Sequence, residues 1–348
     1  MDAGDHSLMA KPLRVGFLGA GLIATFHSKM LRAAGDHVER AGVYDPDPER
    51  AKAFAAASGH HVCATEAEVL DGCDAVYICT WTSEHLQLVD AACQRGLAIF
   101  CEKPLATTLA DAEEMQRMVE ASGVMNQVGL ILRRSPAFTV LREMVHDPNS
   151  GRIMTVIFRD DQFIPIRGTY QSTWRGDVDK AGAGTLIEHS IHDIDLLEWI
   201  VGPAASVSGR SASFHDIAGI EDLAVASIGY PDGAIATLTS VWHDIDARPS
   251  LRRLEVFCER AWFAVEGDWT GPITHTAASG QTRVIETEAI MAEALHITGE
   301  DPNPDLAFVR AVNADEPASP SFATAVRAHR VADAFYRSAA ADGAPADV

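Results

Sequence analysis

Basic residues are scarce in this chain: Lys and Arg number 28 against 49 Asp and Glu, a formal net charge of −21 over 348 residues. Nucleic acid and anionic membrane surfaces would both repel such a molecule, so neither is expected as a partner, and solubility accounts for the acidity. A bound anion would have to rest on local backbone donors rather than in a basic field. Long hydrophobic runs are also missing; nothing approaches the roughly 18 uninterrupted apolar residues of a membrane span. The stretch from Met1 to Lys11 carries charges and lacks the apolar core of a signal peptide, and residues 1–10 are expected to form a flexible leader. The cysteines at 63, 73, 79, 93, 101 and 258 include no CxxC pair. Free thiols in a reduced, cytoplasmic protein are the simplest account. His60-His61-x-Cys63 has no second ligand pair nearby and His189-x-x-His192 is not HExxH, so no metal site is expected. Internal repeats and low-complexity segments are absent, apart from an Ala-rich tail.

What is present is a dinucleotide signature near the N-terminus. The apolar run Val15–Leu18 leads into Gly19-x-Gly21-x-x-Ala24, and a helix-like segment follows with Leu22 and Ile23 at its start. A second short apolar run ends in Val43-Tyr44-Asp45, about twenty residues on, as the fingerprint requires. The glycines let the backbone approach a pyrophosphate, the helix N-terminus faces it, and the carboxylate accepts from ribose hydroxyls. Asp45 would repel a 2′-phosphate, and Pro46, Asp47 and Pro48 follow it, with Arg50 the nearest candidate cation. NAD is therefore expected rather than NADP.

At 348 residues the chain has room for two domains. From 11 to about 133 strands and helices alternate. Strands are expected at Val15–Leu18, Glu39–Tyr44, Ala75–Cys79, Ala98–Cys101 and Val124–Gly129, and helices at Ile23–Ala34, Pro48–Ser58, Glu84–Arg95 and Leu109–Ser122. That order implies a doubly wound parallel sheet of Rossmann type. From 134 to 348 the pattern changes to consecutive strands: Arg152–Phe163, Ala205–His215, Asp222–Tyr230, Ala234–Trp242, Arg252–Glu259 and Trp262–Glu266. Tyr230-Pro231-Asp232-Gly233 supplies a tight turn, and strands without helices between them imply a mostly antiparallel sheet. One helix, Thr185–Val201, interrupts this α+β half, and another closes the chain from about Ser321 to Ala340, with the option of packing back on the first domain.

Two further motifs carry chemistry. Phe100-Cys101-Glu102-Lys103-Pro104 follows a strand of the parallel sheet, and ligands of such sheets sit beyond the carboxyl ends of strands. The proline pushes Lys103 away from helical geometry. Further on, Ala181-Gly182-Ala183-Gly184 opens the helix that bears Glu188, His189, His192 and Asp195. Read as one continuous helix, Glu188, His192 and Asp195 share a face, beside an apolar stripe of Ile187, Ile191, Ile194 and Leu197. A site and a solvated polar stripe are both compatible with that pattern.

Together these motifs resemble the glucose–fructose oxidoreductase / inositol dehydrogenase / MocA (Gfo/Idh/MocA) family, from about Leu13 to the last helix. The resemblance rests on the GAGLIA turn, Ile78-Cys79-Thr80 with His85, Glu102-Lys103-Pro104, the Gly-rich loop running to His192-Asp193-Ile194-Asp195, and the closing Phe335-Tyr336-Arg337-Ser338 segment. It implies that Lys103, Glu188 and His192 form the catalytic group. It also implies that Glu102 and the Lys103-Pro104 peptide help seat the nicotinamide, that Thr80, Trp81 and His85 lie along the cofactor, and that Trp174 and Arg175 form a cleft wall. The second domain would bind substrate and use an open sheet for assembly into a homodimer or homotetramer. Glu188 departs from the commoner Asp, and Ala183 replaces a common glycine.

The expected reaction is reversible hydride transfer between nicotinamide and a secondary alcohol of a polyol or sugar-like substrate. His192 or Lys103 would take the hydroxyl proton, with Glu188 holding Lys103 or a substrate hydroxyl. His189 is a further substrate-side candidate. Arg133 could face the cleft or join an interdomain ion pair, and His243 could reach substrate or be structural. His85 could equally hydrogen-bond at the start of its helix. A non-catalytic NAD-binding sensor, an imine or enone reductase and an NAD-dependent glycosidase are the competing readings.

Overall fold

The computed structural model describes residues 11–168 and 170–348; the expected leader at 1–10 lies outside the described residues. The first half supplies strands β1 (Leu13–Leu18), β2 (Val38–Tyr44), β3 (His61–Val62), β4 (Ala75–Ile78), β5 (Ala98–Cys101) and β6 (Asn126–Val128). Helices α1 (Leu22–Met30), α2 (Pro48–Ser58), α3 (Glu66–Gly72), α4 (His85–Cys93) and α5 (Leu109–Ser122) alternate with them. The strands form one parallel sheet in the order β3-β2-β1-β4-β5-β6. Strands covered on both faces read as continuous apolar runs, which is why Ala75–Ile78 is buried throughout. The order reverses between β1 and β4, and that switch point opens a crevice at their carboxyl ends. The expected helix Ile23–Ala34 stops being α-helical at Met30 and tightens into 3₁₀ turns to His37, where Gly35 breaks the helix at φ 53°.

The second half contributes α6 (Pro136–Val145), β7 (Ile153–Phe163), α7 (Val178–Ala181), α8 (Thr185–Glu188), α9 (Ile191–Ile200), β8 (Ser206–Ala212), β9 (Leu223–Gly229) and β10 (Ile235–His243). It continues with β11 (Leu251–Cys258), β12 (Ala261–Glu266), β13 (Ile273–Ala277), β14 (Thr282–Ile285), α10 (Thr287–Thr298), α11 (Pro304–Ala314), α12 (Phe322–Ala340) and β15 (Ala346–Asp347). Its nine-stranded sheet runs β14-β13-β12-β11-β7-β10-β9-β8-β15, and every pairing is antiparallel except β7 with β10. Strand alternation turns Val156, Phe158 and Leu238 inward under the helices. The opposite face leaves Ile157, Val225, Ile235 and Phe257 exposed.

Two features differ from the sequence expectation. The segment expected as one helix, Thr185–Val201, is two, interrupted at His189 and Ser190. The interruption lets the Ser190 hydroxyl donate to Asp160 (3.1 Å) while the His189 ring meets the same carboxylate (3.2 Å), which a straight helix would not permit together. Second, residues 134–348 do not all belong to the second unit. Helix α11 returns to the parallel sheet, where the Phe308 ring stands edge-on to Tyr77 (5.7 Å) and Phe100 (5.6 Å) in a shared core. Helix α12 packs on α5 of the first unit as well as on β8 and α9 of the second.

Candidate active site

A cleft of about 740 Å3 runs from the carboxyl ends of β1 and β4 to the inner face of the second sheet. Gly19 sits at its base with φ 88°, and a Cβ there would lie 2.4 Å from the Cys79 carbonyl oxygen, so only glycine fits. A Cβ on Gly21 would meet nothing within 4 Å and would project into the open cleft. Helix α1 begins at this point with no side-chain cap and no acidic residue in its first turn, which leaves its N-terminal amides and positive dipole end free for an anion. Leu22 and Ile23 line the same wall. Asp45 is buried at the end of β2 and accepts from the amides of Ala20 (2.8 Å) and Asp47 (2.9 Å). Arg50 stands 3.9 Å from it. The open cradle at Gly21, the free helix terminus and the fixed carboxylate together fit a dinucleotide.

Thr80, Trp81, Glu102 and Lys103 line the middle of the cleft. Lys103 follows β5, and its Nζ donates to the Glu188 main-chain oxygen at 2.7 Å. Burial pushes the Lys103 ammonium down from its ordinary pKa and Arg175 adds to this, while Glu188 and Glu102 oppose. The Glu188 carboxylate does not hold Lys103; it accepts from Arg175 Nε (2.9 Å) and Thr82 Oγ1 (3.1 Å). Arg175 also lies over the Trp174 ring at 4.5 Å and donates to Ser172, so Trp174 and Arg175 do form cleft wall. The loop before Glu188 is held by Glu221, whose carboxylate accepts from the amides of Gly184 (2.7 Å) and Leu186 (3.1 Å). A Cβ at Gly184 would come 1.8 Å from the Glu221 carbonyl oxygen, which explains that glycine.

His189 lines the cleft and turns Nε2 toward Asp160 and toward Arg252 (3.1 Å). Arg252, itself buried, bonds Asp193 (2.7 Å), Asp160 (3.0 Å) and Asp268 (2.7 Å). Burial, with Asp160 close by, pushes the Asp193 carboxyl up to about 7 against the pull of Arg252. His192 is buried with Nδ1 lacking a hydrogen-bond partner. Burial and the neighbouring cations Lys103 and Arg252 hold its pKa well below the ordinary histidine value, so it is neutral at neutral pH.

Several expected positions lie elsewhere. Arg133 does not line the cleft: its guanidinium is committed to Asp195 in a bidentate pair (2.8 and 2.7 Å) that joins the two units. Asp195 is therefore not on a common face with Glu188. His85 is buried, with Nδ1 on the Leu105 carbonyl (3.1 Å), and does not reach the cofactor cleft. His243 points to the outer face of the sheet, where Nδ1 accepts from the Ile245 amide (3.2 Å) and Nε2 stands 3.8 Å from Asp161. His192 borders the site without being part of the cleft wall. His60 is buried against Ser58 (3.0 Å) while His61 is exposed, which separates that pair.

The sequence reading missed Thr82, Gln162 and Trp242, which line the cleft, and Arg252 with Asp160 beneath it. Gln162, Trp242 and Asp160 occupy the inward register positions of β7 and β10, a period-2 signal that could have placed them. Arg252, flanked by apolar inward positions of β11, was detectable only as a polar residue on a core face.

Comparisons with known proteins agree with this geometry. The family model for the GFO_IDH_MocA oxidoreductase family, NAD-binding Rossmann fold, matches residues 13–130, and the GFO/IDH/MocA C-terminal domain matches residues 138–264. The chain is 29 % identical over 229 residues to a 1,5-anhydro-D-fructose reductase of Ensifer adhaerens, covering 64 % of this chain and 67 % of the relative. It is 31 % identical over 253 residues to a scyllo-inositol 2-dehydrogenase (NAD(+)) of Bacillus subtilis, covering 69 % and 71 %. Across the first relatives matched, the chain spans 61–67 % of their length. A solved levoglucosan dehydrogenase in complex with NADH and levoglucosan superposes with a TM-score of 0.85 at 21 % identity over 97 % of this chain and 99 % of that one, which establishes the shared fold.

Proposed function

Because the chain belongs to the Gfo/Idh/MocA oxidoreductase family, whose N-terminal domain is an NAD-binding Rossmann fold, we propose that it interconverts a secondary alcohol and a ketone on a small polyol or sugar-like substrate. Bound NAD supplies the acceptor and donor of the hydride. The chain's own residues handle the proton and the orientation. The observation that carries this reading is Lys103, a half-buried ammonium of depressed pKa in the wall shared by the dinucleotide cradle and the second sheet. Its neutral form can accept the hydroxyl proton, and its protonated form can donate to the oxygen of the ketone. The bond to the Glu188 main-chain oxygen aims Nζ. His192 stays neutral beside it. The Glu188–Arg175 pair fixes the far side of the pocket, and the half-buried Trp174 ring suits the C–H face of a sugar ring.

The six cysteines are unpaired, which accords with a cytoplasmic location. Among the described residues no helix is long and apolar enough to cross a membrane. The exposed apolar face of the nine-stranded sheet, with Ile157, Val225, Ile235 and Phe257, supports a homodimer or homotetramer.

The test is an NAD-reduction screen over inositols, aldoses and sugar acids, repeated with Lys103→Met. The expected result is turnover on at least one polyol, a drop in kcat/KM of about 100-fold or more in the variant, and unchanged NADH binding. Tight NADH binding with no turnover on any substrate would favour a sensor. Full turnover in the variant would remove Lys103 from the chemistry.

A further inference from the structure

Behind the cofactor half of the cleft lies a buried charged group that the proposed reaction does not use. His27, on the inward side of α1, is fully buried. Its Nε2 lies 2.8 Å from Glu102 Oε1 and its Nδ1 lies 2.8 Å from Asp305 Oδ1. A neutral imidazole carries one N–H, but here both ring nitrogens face carboxylate oxygens, so the geometry calls for two donors and hence an imidazolium. Burial opposes that charge, and the two carboxylates outweigh it, pushing His27 up to about 10. The Phe100 ring stands 4.7 Å from the imidazole and the Tyr77 ring 5.7 Å, with Phe26 at the edge (5.4 Å).

Glu102 is also the member of this group that lines the cleft. Its Oε2 accepts from the Lys103 amide at 3.2 Å, and a Cβ at Gly129 would come 2.2 Å from Oε1, so the carboxylate is packed against bare backbone. One imidazolium between two carboxylates leaves this triad one net negative charge, beside aromatic rings that keep water out, with the Lys103 ammonium as the neighbouring cation on the cleft side.

We propose that His27, backed by Asp305, is a positioning residue that keeps Glu102 ionised and immobile at the cleft wall, so that the site binds the cationic oxidised nicotinamide in preference to the neutral reduced one. The inference rests on the cofactor reading above. A site that holds the oxidised form more tightly makes its bound reduced form the stronger hydride donor, which favours ketone reduction. It also gives helix α11, far along the chain, a reason to return to the first domain: it brings Asp305.

The test is the ratio of NAD+ to NADH dissociation constants, measured by calorimetry and NADH fluorescence, for the unmodified protein, Glu102→Gln and His27→Gln. Glu102→Gln is expected to weaken NAD+ at least tenfold more than NADH. His27→Gln removes the cation that keeps the buried Glu102 ionised, so Glu102 is expected to take up a proton and the ratio to shift the same way at neutral pH. A purely structural role would weaken both forms equally, so an unchanged ratio in both variants overturns the proposal. If the unmodified protein binds neither form, the cofactor reading itself fails. Should His27→Gln not fold, Glu102→Gln carries the comparison, together with ¹⁵N-histidine NMR of the unmodified protein. Both His27 ring nitrogens are expected to stay protonated at pH 8, and a neutral tautomer there would overturn the proposal.

Discussion

Arg252→Met offers the sharpest test of how the substrate side is built. Methionine keeps most of the apolar stem and removes the cation that Asp160, Asp193 and Asp268 share. Asp268, with 46 % of its side chain exposed, can return to water, but the Asp160 and Asp193 side chains are 1 % and 0 % exposed and cannot. Breaking a buried pair by deleting one partner costs about 3–5 kcal/mol, because the stranded charge keeps its desolvation penalty. Here two stranded carboxylates face each other, and proton uptake is the nearest relief. Asp193 already sits at about 7, above the ordinary carboxyl value of 3.8, and loss of Arg252 raises the pair's proton affinity further.

The folded state therefore binds more protons than the unfolded chain. Stability from this source is complete below the unfolded pKa and falls as pH rises through the folded one. Urea denaturation of the variant should thus show a loss of about 3–5 kcal/mol at pH 8 and a smaller loss at pH 5. Each proton retained returns up to about 1.4 kcal/mol per pH unit. Adding Asp193→Asn to Arg252→Met should recover part of the deficit, since the amide has no charge to strand. A loss under about 1 kcal/mol at pH 8, or one that grows as the pH falls, would refute the account.

Two further outcomes follow from the cleft. Asp45→Ser removes the carboxylate that faces a 2′-phosphate and frees Arg50, 3.9 Å away, to bind one; the NADPH affinity measured by fluorescence should rise about tenfold or more relative to NADH, and an unchanged ratio would remove Asp45 from cofactor choice. Arg175→Leu removes the cation that, after burial, most depresses Lys103. The acidic limb of the kcat/KM profile for alcohol oxidation, on which activity rises as Lys103 loses its proton, should then move to higher pH, and a limb that stays or moves lower would mean that Lys103 is not the titrating base.

The fold was legible wherever a strand is covered on both faces, because burial alone dictates an apolar run such as Ala75–Ile78. It was not legible where distant partners decide the geometry. Ile187, Ile191, Ile194 and Leu197 keep helical spacing, so nothing local announces the break at His189 and Ser190. The break comes from Asp160, thirty residues earlier, and from Arg252, sixty later, which together draw His189, Ser190 and Asp193 to one place. Helix α11 has the same character: Phe308 reads as an ordinary apolar residue, and only the tertiary fold puts it against Tyr77 and Phe100.

The site divides along the same line. Gly19, Gly21 and Asp45 act through backbone shape and short-range spacing, and a sequence displays both. Protonation state is different, because burial and neighbouring charges set its sign. Lys103 and His27 are both basic and both in contact with the Glu102 segment, the first half-buried and the second fully buried. Lys103 has a carbonyl oxygen as its direct partner and Arg175 nearby, so desolvation wins and its pKa falls. His27 has a carboxylate on each nitrogen, so attraction wins and its pKa rises. One becomes a group able to exchange a proton and the other a fixed cation. That difference follows from Glu102, Arg175 and Asp305 arriving from three separate parts of the chain.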